Sequence, residues 1–417
     1  MNGRLRRLGR ADALALTASL WFLGKFVRYA FPPLFETLAA EYHVSTATLG
    51  TAFTGFMLVY AAMQFPSGVL ADRLGSVRVI AGGALLSAAA ALSLTVDTPL
   101  PALVGAMLLM GAGTGTLKTV AVELLSRIYA DRTGRALGVF DTFGSFGGAA
   151  APAAVVAFVG SAGVLGAGWR TTFLLAGVAG IGVAAAFAVR VPRRLPDAGD
   201  DRTTRDGDGP TDGDGDRDDA GATLRTYVCL FRAPRFAAFV AVTVLFAFAY
   251  SGVVAFLPLY LIRRAGLPSA TANLIFSLLF VVSLTQLVTG EVSDRVGTLP
   301  VLVGALGLAT AGFAAVLVLT PTGSALALGA AVVCMGAGAH GYRPVRGVYL
   351  MAVLPESVAG GGLGAVRTLL MGAGALAPAV VGVLSETAGF RPAFLLLAGT
   401  LAGATLVAGA LLVVERA

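Results

Sequence analysis

Lysine is almost missing from this chain of 417 residues: of 30 basic side chains only Lys25 and Lys118 are lysines. Charge of any sign is scarce at 13%, against 57% hydrophobic residues and a mean hydropathy of +0.83. That composition leaves too little polar surface to cover a soluble protein of this size. The two cysteines, Cys229 and Cys334, lie far apart, which excludes a disulfide framework and a metal cluster; both read as packing residues. There is no Gly-x-x-x-x-Gly-Lys-Ser/Thr phosphate loop. No enzyme, cofactor, metal site or nucleic-acid partner is expected.

What the chain has is apolar length. Runs able to cross a hydrocarbon core of ~30 Å, which takes ~20 residues, fall near 12–37, 47–70, 77–97, 100–126, 135–160 and 169–190. Six more follow near 234–262, 269–290, 299–320, 323–350, 360–385 and 391–414. The two sets repeat one another. Gly68-Val69-Leu70-Ala71-Asp72-Arg73-Leu74-Gly75 returns 222 residues later as Gly290-Glu291-Val292-Ser293-Asp294-Arg295-Val296-Gly297. Gly168-Trp169-Arg170 returns at a spacing of 221 as Gly389-Phe390-Arg391. The expected fold is all-α and membrane-integral, twelve transmembrane helices in two pseudo-symmetric six-helix bundles.

The domain boundaries follow: a first bundle over 1–190, a linker over 191–233 and a second bundle over 234–417. The linker is rich in Asp, Gly, Arg and Thr and too poor in apolar residues to offset its ordering entropy, so it is expected to be disordered. Its Asp212–Asp219 stretch is a poor calcium loop, because no glutamate closes it. Arginine clusters in the leading tail, in alternate loops and in the linker, which places both termini in the cytoplasm of a multi-pass plasma-membrane protein. Helix 1 is expected to stay in the mature protein, since its run is too long for a signal peptide and carries Lys25 and Arg28.

The paired Gly-x-x-x-Asp-Arg-x-Gly loops, the Met63-Gln64-Phe65-Pro66-Ser67 flank and the Gly-Trp-Arg and Gly-Phe-Arg helix openings resemble the major facilitator superfamily over essentially the whole chain. The resemblance implies a transporter in which Asp72 latches the halves on the cytoplasmic side. Gly68 and Gly75 are expected to allow close approach and a tight turn, with Asp72 and Arg73 at the boundary. Asp294 and Arg295 form a weaker second latch, because Thr298-Leu299-Pro300 lacks a trailing basic pair. Alignment of helices 5 and 11 at 226 residues sets Asp141 on Arg367, opposite charges that are read with the gate.

Intramembrane cations mark the site, since each costs about 2.5–3.5 kcal/mol near a helix centre on insertion scales. Lys25 and Arg28 share a face of helix 1, Arg343 and Arg346 share one of helix 10, and Lys118 lies in helix 4. The resemblance places helices 1, 4, 7 and 10 around the central cavity. With few acids nearby, the five cations predict a small anionic substrate, with Tyr250, His340 and Tyr342 as neutral hydrogen-bonding groups. Arg28 ahead of Phe31-Pro32-Pro33-Leu34 resembles organic-anion and phosphate-ester members of the superfamily, though its spacing to the prolines differs. The expected activity is secondary transport by alternating access in a monomer, as a symporter coupled to a proton or another ion. Efflux of a hydrophobic compound and a non-transporting sensor of the same fold are the alternatives; Met107, where drug antiporters carry an arginine, weakens the first.

Overall fold

A computed structural model of the protein describes residues 2–160, 166–194, 232–353 and 359–416, so nearly all of the expected linker lies outside the described residues. The first half contains α1 (Asn2–Tyr42), α2 (Thr46–Ala62), α3 (Gln64–Leu74), α4 (Ser76–Ser93), α5 (Leu100–Ile128), α6 (Thr133–Val159) and α7 (Trp169–Arg190). The second contains α8 (Pro234–Ala265), α9 (Ser269–Val281), α10 (Thr285–Val296), α11 (Thr298–Leu319), α12 (Ala325–Val353), α13 (Ala359–Thr387) and α14 (Phe390–Arg416). No β-strand occurs among the described residues.

Among the described residues ten helical spans are long and apolar enough to cross a membrane, with α9 and α10 together making one of them; α2 and α3 taken as one bent span bring the number to eleven. The twelfth is α1, 41 residues long, whose hydropathy is lowered by Lys25 and Arg28. It begins at Asn2, well before the apolar run that marks it in the sequence.

Two spans expected to be continuous are broken. The one over 47–70 bends by 40° at Met63. Pro66 accounts for this, because its ring has no N–H to donate and collides with the carbonyl four residues back, at Ala62. The one over 269–290 is interrupted by a 3-10 turn at Val282–Leu284. There the Thr285 hydroxyl donates to the Val282 carbonyl at 2.8 Å, the local back-bonding that loosens a helical ladder.

The sequence repeat is also a packing repeat. A Cβ on Gly111 of α5 would strike the backbone of Phe56 in α2, while one on Gly113 would strike Gly83 and Ser87 in α4. In the second half, Gly336 of α12 lies as close to Leu279 and Val282 at the end of α9, and Gly338 to Ala305 and Ala309 in α11. Both signature loops turn on a glycine with positive φ, Gly75 at 89° and Gly297 at 99°. Gly68 does not serve the close approach expected of it, since open space surrounds its would-be Cβ.

The halves meet on the face away from the chain termini, here the distal face. Phe35 of α1 packs edge-on against Phe256 of α8 at 5.3 Å between ring centres. Along α2 and α13 the approach is at backbone level: Gly50 lies against the Pro378 carbonyl, and a Cβ on Gly382 would come within 2.9 Å of the Thr46 carbonyl. The Ala379 amide donates to Thr54 Oγ1 at 2.9 Å and the Ala47 amide to Glu386 Oε2 at 3.2 Å. The distal face is therefore sealed.

Candidate functional site at the centre of the membrane

Arg28 is the most deeply placed of the five cations, 6% exposed on the face of α1 that meets α2. Its guanidinium carbon lies 3.7 Å from the centre of the Tyr60 ring and 5.9 Å from that of Phe56. Among the described residues Nε and Nη2 have no hydrogen-bond partner and no carboxylate is in ion-pair range. A desolvated cation–π stack supplies ~2 kcal/mol, whereas each unmet buried donor costs about 1–3 kcal/mol. The stack alone does not settle the charge.

Lys25 and Lys118 flank one aromatic platform. Their Nζ atoms stand 5.3 and 5.2 Å from the centre of the Trp21 ring, which stacks on Phe140 at 5.6 Å. Trp21 fits because α6 presents Gly144 at that level, where any Cβ would collide with the indole. Lys118, read from the sequence as a substrate-binding cation, has a partner within its own bundle. It forms an ion pair with Asp141 of α6, the side chains being 24% and 50% exposed. Lys25 is buried within electrostatic reach of Arg343 of the opposite half as well as of Lys118, Asp141 and Arg28. The two bundles thus place their cations in one shared field.

On the other side of the site, Pro344 interrupts the α12 ladder between Arg343 and Arg346. The Arg343 guanidinium lies over the Tyr250 ring at 4.5 Å, and the Tyr250 hydroxyl meets His340 Nε2 at 3.4 Å. His340 is almost fully buried, with Nδ1 unpartnered. Tyr29 packs on Phe280 at 4.4 Å and closes the ring of aromatics between the halves.

Tyr342 departs from expectation. It is fully buried inside its own bundle, its hydroxyl 3.3 Å from Thr243 Oγ1 and its ring 4.4 Å from Phe246, so it supports the site and does not face it. Arg346 lies 5.8 Å above the Tyr342 ring, on the side toward the termini. Cys334 is exposed on the outer face of α12 and is not the packing residue its apolar surroundings predict. Cys229 lies outside the described residues.

The gate residues separate into two groups. Asp72, Arg73 and Asp294 are exposed and make no ion pair among the described residues, while Arg295 pairs with Glu291 one turn back. Arg127, a candidate partner for Asp72, is held by Glu123 at 3.5 Å. Asp141 and Arg367 do not meet each other. Arg367 Nη2 instead donates across the halves to Gln64 Oε1 at 3.1 Å. Gln64 also accepts from Thr119 Oγ1 at 2.6 Å and donates to the Gly115 carbonyl at 3.0 Å, which fixes the α2–α3 bend to α5. Tyr60, Gln64 and Trp21 were not among the expected site residues. Asp141, on the terminal side of the cations, is half exposed.

A cavity of about 960 Å³ lies elsewhere, at the terminal ends of α8, α11, α12 and α14, lined by Arg235, Tyr349, Glu415 and Arg416 among others. Tyr349 is tied to Glu415 at 2.6 Å. It touches neither the cations nor the interface between the halves.

Two repeated bundles that meet around buried cations have the build of a membrane transporter, not an enzyme. The chain belongs to the Major Facilitator Superfamily, whose model matches residues 17–342 and 266–417. No curated protein matches the chain in sequence. Among solved structures, a bacterial homologue of the human lysosomal transporter Spinster, inward-facing and occupied, superposes with a TM-score of 0.77 at 16% identity, covering 98% of this chain and 97% of that one. A point mutant of the peptide transporter POT gives 0.75 at 18% identity over 99% and 98%. The inward-open xylose transporter XylE from E. coli gives 0.71 at 13% over 96% and 95%. At these identities the likeness concerns the fold.

Proposed function

We propose that this transporter is a secondary carrier of a small anion, working by alternating access and coupled to a proton or another ion. The observation that carries the reading is Arg28, a buried guanidinium with two unmet donors and no carboxylate partner among the described residues. Lys25, Arg343 and Arg346 likewise lack a carboxylate within ion-pair range among the described residues, so Asp141 pairs directly with one of the five cations. A bound anion would supply the missing acceptors. The rings of Tyr29, Phe280 and Tyr250 would flank its apolar part.

On this reading the terminal face is cytoplasmic and the distal face external, in the plasma membrane, with the chain acting as a monomer. The 1–190 and 234–417 bundles move about the site and 191–233 links them in the cytoplasm. Asp72 and Asp294, unpaired here, act in the opposite state, where the terminal face closes.

Flux into proteoliposomes tests the proposal with inorganic phosphate, mono- and dicarboxylates, a phosphate ester, a neutral sugar and a lipophilic cation. Uptake should be confined to anions. Arg28→Gln or Arg343→Gln should weaken binding by about 1.5–3 kcal/mol, ten- to a hundredfold, because each removes a hydrogen bond to a charged group. Selective uptake of the sugar or the cation would overturn the anion reading.

A further inference from the structure

We infer that Asp141 has two alternative partners: Lys118, which it holds here, and Gln286 of the opposite half, to which it crosses when the terminal face closes. The inference rests on alternating access but not on the charge of the substrate.

The observed tie between Gln64 and Arg367 is half of a pair. The spacing of 222 that carries Asp72 onto Asp294 carries Gln64 onto Gln286. The spacing of 226 that carries Gly138 onto Gly364 carries Asp141 onto Arg367. The repeat mate of the Gln64–Arg367 bond is therefore Gln286–Asp141, an amide facing a carboxylate in place of an amide facing a guanidinium.

Helix register agrees. α6 and α9 run antiparallel and touch where a Cβ on Gly148 would lie 2.9 Å from Phe280 Cδ1. Seven residues back along α6 is Asp141, and seven forward from Phe280 is Leu287, the neighbour of Gln286. The packing of α6 extends along α9 to the turn at Val282–Leu284, and beyond it α10 packs on α11 and α12 of its own bundle. Gln286 Nε2 is meanwhile parked on the Ser283 carbonyl at 2.8 Å, inside the break in its span. Its second amide hydrogen is available to a carboxylate.

One of the two ties is thus made and the other is open, and the open one lacks its acceptor because Lys118 has taken it. Asp141 leaves Lys118 only when the lysine gains another counter-ion or loses its charge, since an unpaired ammonium at this depth is costly. Occupancy of the site and closure below it then become one event. Gln286 is a positioning residue in this scheme and touches no substrate.

The test needs no substrate. In a Cys229→Ser/Cys334→Ser background, spin labels at Arg135→Cys and Val296→Cys report the distance between the terminal ends of α6 and α10 in lipid nanodiscs. Lys118→Gln frees Asp141 and should raise the ratio of short to long distances about tenfold; adding Gln286→Leu should return it to the starting value. An unchanged ratio in Lys118→Gln, or a shift that survives Gln286→Leu, overturns the inference. Should Lys118→Gln not fold, Gln286→Glu serves: it sets two carboxylates face to face, and should deplete the short-distance population about tenfold, whereas an unaltered distribution overturns the inference. Absence of anion uptake by the wild type would count against the proposed substrate and leave these outcomes untouched.

Discussion

Thr54 Oγ1 accepts a hydrogen bond from the Ala379 amide at 2.9 Å, joining the two halves beside Pro378 of α13. A side chain of one bundle thereby caps a backbone donor of the other, next to a residue that weakens the helical ladder. Thr54→Val keeps the shape and removes the acceptor. It should weaken distal closure by about 1 kcal/mol, roughly a fivefold change in the ratio of states. Labelling of a distal cysteine by an impermeant thiol reagent measures it, and an unchanged rate would show that the bond adds nothing to closure.

Gly50→Ala should act more strongly and in the same direction. The added methyl meets the Pro378 carbonyl and has no flexible side chain to displace. The closed arrangement of the distal face can no longer form, so transport should fall by more than about tenfold, a loss of over ~1.4 kcal/mol, while the protein stays folded and distal sites label readily. Normal transport would mean that α2 and α13 part further than this structure shows.

The stack of Arg28 on Tyr60 distinguishes arginine from lysine at this position. Arg28→Lys preserves charge but loses the planar face that fits the ring and two of the donors. Its effect on substrate affinity should lie close to that of Arg28→Gln, about tenfold or more by binding assay. Full activity in Arg28→Lys would reduce the residue to a point charge.

Arg170 gives a control away from the site. It holds Glu41 at 3.0 Å and Asp97 at 2.7 Å, and Trp169 Nε1 donates to Glu41 at 2.7 Å. Asp97 is almost wholly exposed, so its share is small. Arg170→Gln should cost about 1–3 kcal/mol through the part-buried Glu41 contact, read as a fall in thermal stability with substrate affinity unchanged. A lowered affinity would tie this distal cluster to the central site.

Asp72→Asn should leave this state's stability unaltered, because Asp72 is exposed in it and makes no ion pair among the described residues. Transport should slow while binding persists, as expected of a group that acts only when the terminal face closes. Equal rates in wild type and variant would remove the latch role.

The fold was legible because each of its signals is long: apolar runs of membrane-spanning length and a repeat written twice. The five cations were legible as costly residues in apolar surroundings, but their partners were not, since pairing depends on side-chain reach. Nothing in the spacing of Lys118 and Asp141 says that they meet within one bundle. Nor does anything mark Tyr342 as turned inward toward Thr243 while Arg343, its neighbour, faces the site. Gln64 could have been found, because it and Gln286 are the same residue in both copies of the repeat, yet an uncharged amide draws no attention among costlier groups. The α2 break was likewise readable from Pro66, while the α9–α10 break, which has no proline, was not.

The seam between α2 and α13 is built around Gly50, Gly382 and Pro378, residues with few or no side-chain rotors to arrest. A surface of that kind comes together without freezing many side chains, so the ordering entropy that usually slows and opposes docking is small. It also has little capacity for partial engagement, because backbone either reaches backbone or does not. Opening and shutting of the distal face should accordingly be abrupt and weakly dependent on temperature, with dwell times governed by the few polar bonds that span it.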